Sequence, residues 1–62
     1  MMQPIRTYHV FGYDKRGEIL TVSEVVGTLP LAIDRADIMS SVYDHVNIFC
    51  VETNMQELDW VA

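Results

Sequence analysis

Two histidines (His9 and His45), one cysteine (Cys50) and nine carboxylates are the residues of this chain with chemistry to offer. A Cys–His nucleophile pair needs a thiolate beside a base in an open cleft. Cys50 instead lies among Ile48, Phe49 and Val51, a setting in which cysteine acts as a small hydrophobe. A metal site would call for paired spacing such as C-x2-C or H-x3-H, and neither occurs. Asp34 and Asp37 stand three residues apart, but paired carboxylates do acid–base work only when burial splits their pKa values. Both fall on the polar side of the segment that carries them. Gly12, Gly17 and Gly27 are scattered and form no loop that could cradle a phosphate. The expectation is a protein that is not an enzyme, with no catalytic residue, no cofactor and no metal.

Length and charge narrow the classes further. Sixty-two residues allow one domain, spanning 1–62. A domain this short buries only about 60% of the surface its unfolded chain exposes, so it is marginal alone. Small scaffolds usually add disulfides, a metal or a second copy. One cysteine forms no internal disulfide, which leaves oligomerisation or docking on a partner. Nine acidic and four basic residues give a net charge of −5. That balance argues against direct contact with nucleic acid, which needs a Lys/Arg footprint, and against anionic membranes. No stretch approaches the roughly 20 apolar residues that span a bilayer. The opening MMQPIRTYHV has no apolar run like a signal peptide, so a cytoplasmic location is expected.

Periodicity supplies the elements. Residues 5–13 alternate Ile5, Thr7, His9 and Phe11 with Arg6, Tyr8 and Val10, which reads as a strand. Asp14-Lys15-Arg16-Gly17 is a turn signal. Residues 18–26 read as a second strand, antiparallel to the first. Its more apolar face, Leu20, Val22, Glu24 and Val26, is the one expected to meet the core. Thr28 is placed to cap a helix and Pro30 suits a first turn. Over 29–43, Leu29, Ala32, Ile33, Ala36, Met39 and Tyr43 recur at helical spacing. Residues 46–53 form the most apolar stretch and read as a third strand, with either Ile48 and Cys50 or Phe49 and Val51 toward the helix. The tail, with Leu58 and Trp60, is a short fourth strand or a loose end. The fold expected is α+β, in the order β-β-α-β with an optional last strand: an antiparallel sheet of three to four strands and one helix packed on one face.

Two surface signals follow from this layout. Leu31, Ile38 and Val42 lie together about 100° around the helix from its core stripe. A helix covering one sheet needs an apolar stripe only slightly wider than about 100°. The surplus needs a cover, from a second copy, a host protein or the tail. The second signal is acidic: Asp34, Asp37, Asp44, Glu52, Glu57 and Asp59. Such a set serves solubility, complements a basic partner, or imitates the phosphates of a nucleic acid. The partner-binding residues expected are Leu31, Asp34, Asp37, Ile38, Val42 and Trp60.

The run YHVFGYDKRGEIL, the helix carrying Ala32 and Ala36, and the strand VNIFCVET together resemble short phage- or prophage-encoded proteins of ββαβ layout. Some inhibitors of host systems, certain anti-CRISPR proteins among them, share that layout. The resemblance covers roughly residues 5–54, is one of pattern, and transfers no functional residue. It implies an accessory protein that inhibits or modulates a host protein. The alternatives are a homodimer whose role is self-assembly, and an acidic nucleic-acid mimic.

Overall fold

A computed structural model describes residues 5–52 and the backbone of Met55–Val61. The elements run β1 (Arg6–Tyr13), β2 (Ile19–Gly27), α1 (Leu29–Ser40), β3 (His45–Cys50) and β4 (Met55–Val61). All pairings are antiparallel, in the order β2-β1-β3-β4. The architecture is therefore α+β: one antiparallel sheet backed by one helix. The tail, left open between strand and loose end, contributes a backbone strand beside β3. The side chains of Leu58 and Trp60 lie outside the described residues.

The β1–β2 turn is built as its residues dictate. Asp14 Oδ1 accepts the backbone N–H groups of Arg16 at 2.8 Å and Glu18 at 2.9 Å. Gly17 has φ +83°, a conformation that costs any residue with a β-carbon. The chain then returns along β1 with Tyr8 opposite Val25, Val10 opposite Ser23 and Gly12 opposite Thr21. A bulge falls between Gly12 and Tyr13.

The core lies between the sheet and α1. Tyr8 and Val10 of β1, Val46, Ile48 and Cys50 of β3, and Ala32, Ala36 and Met39 of α1 are its buried residues. Val25, Leu29, Ile33 and Tyr43 pack at its margin. Ala32 and Ala36 are fully buried, and their small side chains let the helix backbone settle close on the two central strands. Of the two choices for β3, Ile48 and Cys50 face the helix, while Phe49 is only partly covered and Val51 is exposed.

Three local expectations are corrected. On β2 the helix-facing residues are Thr21, Ser23 and Val25, not Leu20, Val22 and Val26. The register fixes this: Tyr8 and Val10 must face α1, and cross-strand partners share a face. Leu20, Val22 and Val26 are 57%, 51% and 62% exposed. The helix ends at Ser40 rather than residue 43. Ser40 Oγ and Ser41 Oγ donate back to the carbonyls of Asp37 and Ile38, each at 2.8 Å. Val42 and Tyr43 N–H both bond to the Met39 carbonyl, closing a turn that leads into β3. Thr28 occupies the position before the helix in extended conformation, but its side chain makes no capping bond. Its carbonyl accepts from Leu31 N–H at 3.1 Å instead.

Candidate partner-binding surface

The residues with chemical potential are kept apart. Cys50 is fully buried on the helix side of the sheet. His9 and His45 lie on the opposite side, in step with Phe11 and Tyr13 along the sheet. The sheet itself therefore separates thiol from imidazoles. His9 Nε2 stands 3.6 Å from Glu24 Oε2 across β1 and β2. His45 packs against the Tyr13 ring with centroids 5.2 Å apart, as part of the sheet surface. Among the described residues no three metal-ligating side chains converge, and no helix is long and apolar enough to cross a membrane.

The α1 stripe is open. Leu31, Ile38 and Val42 are 50%, 67% and 73% exposed. Leu31 and Ile38 sit two turns apart on the helix, and Val42 extends the same row into the turn after Ser40. The row faces the β2 side of the domain. There a groove of about 420 Å³ runs between helix and edge strand, lined by Thr21, Ser23, Arg35, Ile38, Met39 and Tyr43. Its existence follows from the placement of α1 over β1 and β3. The helix does not reach fully across the sheet, so Thr21 and Ser23 stay half-covered and their hydroxyls face a gap. Arg35 Nη1 bridges that gap with a 3.0 Å bond to Ser23 Oγ. The groove thus combines an apolar wall from Ile38, Met39 and Tyr43 with a cation and two hydroxyls.

The described acidic residues do not form one row; the side chains of Glu57 and Asp59 lie outside the described residues. Asp34 and Asp37 are exposed on the outer side of α1, and Asp44 is exposed in the loop after it. Glu52 lies at the far end of β3, and its two oxygens accept from Thr7 N–H at 2.9 and 3.1 Å. Those hydrogen bonds, foremost that from Thr7, hold its carboxyl below the usual range, with Arg6 adding a smaller attraction. Of the six residues expected to bind a partner, Leu31, Asp34, Asp37, Ile38 and Val42 share the exposed side of the helix segment. Trp60 belongs to β4, and its side chain is outside the described residues.

Sequence reasoning missed Arg35 and the β2 hydroxyls as groove residues. They come into view only with the register, since hydrophobicity alone turns Leu20, Val22 and Val26, and not Thr21 and Ser23, toward the core. It also missed how apolar the helix-free face of the sheet is. The clue was in β1, where both alternating sets carry large apolar or aromatic residues, a pattern of strands covered on both sides.

The fold and surface define a helix-backed antiparallel sheet with an open groove at one edge. Compared with known proteins, the chain matches no family model, no curated protein and no solved structure.

Proposed function

We propose that this chain is a non-enzymatic protein-binding module, an accessory protein of the phage type it resembles in pattern, that modulates a host protein through the α1–β2 groove and the stripe beside it. The observation that carries this reading is the exposure of Leu31, Ile38 and Val42 along one line beside an open groove. Contiguous apolar surface rimmed by polar groups marks interaction sites. Here Asp34 and Asp37 form the rim on one side, and Arg35 with the β2 hydroxyls forms it on the other. A partner segment with an apolar side chain for the Ile38–Met39–Tyr43 wall and a hydrogen-bond acceptor for Arg35 fits this chemistry. The carboxylates on the rim favour a partner with basic residues flanking that segment, through on-rate and selectivity more than raw affinity.

The test is site-specific photo-crosslinking in host cells. A photoreactive residue at position 38 is expected to give one discrete protein adduct, and the same residue at position 15, in the β1–β2 turn, none. Leu31→Asp is expected to abolish the adduct at position 38 while leaving the fold intact. Identical adduct patterns from both positions, or no adduct at 38, would refute the reading.

A further inference from the structure

We infer that the helix-free face of the sheet is a self-association surface, on which a second copy of this chain packs sheet against sheet about a two-fold axis. This inference concerns the side of the molecule away from the groove and stands independently of it. An antiparallel sheet with one bare face ordinarily presents polar residues there. Here the bare face carries Phe11 and Tyr13 of β1, Phe49 of β3, and Val22 and Val26 of β2. Val22 and Val26 are 51% and 62% exposed, and the three aromatic residues are partly exposed. The rings of His9, Phe11 and Tyr13 follow one another down β1 at centroid spacings of 6.3 Å. The result is an aromatic row down β1 with Val22 and Val26 beside it on β2; Glu24, Thr7, Asn47 and His45 are the polar residues that share the face.

Three considerations choose a second copy as the occupant. The first is charge. Each copy carries −5 overall, so like copies repel except where the surface is near neutral. From β1, β2 and β3 this face receives one carboxylate, Glu24, already 3.6 Å from His9, and no Lys or Arg; at the β4 edge the register sets Asp59 opposite Asn47. The same lack of cations disfavours a nucleic-acid backbone as the occupant. The second is symmetry. An apolar face is complementary to itself, and a two-fold contact closes without leaving a surface for further growth. The third is area. Four strands about 4.8 Å apart and about seven residues long, at ~3.4 Å per residue, make a face of about 450 Å² in projection. Side-chain relief raises the accessible area, so two copies together remove about 1,000 Å², the lower bound for a biological interface. Aligned packing of two such sheets would place them about 10 Å apart, with the helices outermost. The small core of one copy would then gain a second apolar layer.

Sedimentation of the full chain over a range of concentrations tests this. The wild type is expected to be a dimer. Val22→Lys and Val26→Lys, each verified as folded by circular dichroism, are expected to weaken it on the order of 100-fold, because each places a charge where the interface must exclude water. Ile38→Lys, on the helix, is expected to leave the dimer unchanged. Should a lysine variant unfold, Val22→Thr and Val26→Thr read the same face with a shift of about tenfold. A wild-type chain that stays monomeric at millimolar concentration overturns the inference. So does a dimer that survives both β2 substitutions, or one lost through Ile38→Lys while Val22→Lys keeps it.

Discussion

The Tyr43 ring lies directly over Gly12: a β-carbon at residue 12 would stand 2.8 Å from both Cγ and Cδ2 of that ring. Thr21 Cγ2 would be 3.1 Å away. The clash is with the root of the ring, which cannot swing aside without moving the turn that joins α1 to β3. Gly12 is therefore kept by space, not by an unusual backbone angle. Gly12→Ala is expected to destabilise the fold by about 1–3 kcal/mol through overpacking. Urea unfolding checks it. A change below about 0.5 kcal/mol, the range of surface substitutions, would mean that Tyr43 is not seated where the structure has it.

Two neighbours on α1 make opposite predictions. Ala36 is completely buried between helix and sheet, whereas Asp37 is exposed. Ala36→Asp is expected to unfold the protein, since it leaves a charge without a partner in the core. Asp37→Ala is expected to change stability by no more than about 0.5 kcal/mol. Thermal melts of the two variants decide the matter, and equal midpoints would contradict the facing of the helix.

The same contrast explains how much of the fold was legible in the sequence. Helix facing was readable because Ala32, Ala36 and Met39 recur at helical spacing opposite Asp34 and Asp37, and all three are buried. The two strands of the hairpin and the apolar third strand were readable from alternation and turn residues. The facing of β2 was not, because hydrophobicity alone favoured Leu20, Val22 and Val26. Register decides that question, and register depends on the pairing with β1, a non-local fact. The exposed helix stripe was legible as a surplus of apolar positions. The groove was not, because it arises from where α1 rests across the sheet, which puts Arg35 beside Ser23. Strand order likewise required coordinates, since β3 could in principle have paired at either edge of the hairpin.

Glu52 predicts a pH dependence. Its carboxylate accepts two bonds from the Thr7 N–H, and its pKa is lowered from the ordinary 4.5. A group whose folded pKa is depressed contributes stability that is fully present above its unfolded pKa. That contribution is lost as pH falls through the folded value. Wild type is therefore expected to melt higher than Glu52→Gln at pH 7, and the gap is expected to close as the pH is taken below 4.5. Because Glu52 is exposed, solvent screening keeps the effect small. A gap that widens on acidification would reverse the sign of the argument.

Ile38 and Met39 are adjacent in sequence, and their exposures of 67% and 7% make them the most direct test of whether the stripe is open in a single copy. Met39 closes the core beneath the last turn of α1 and also forms one wall of the groove. Met39→Ala removes buried apolar volume and is expected to cost about 2–5 kcal/mol. Ile38→Ala takes away a side chain that is mostly in water and replaces it with a better helix former, so it is expected to be neutral within about 0.5 kcal/mol. Urea titrations of both variants give the comparison. If Ile38→Ala costs as much as Met39→Ala, Ile38 is already covered within one copy, the α1 row has no surface to offer, and the partner-binding reading of the groove falls with it.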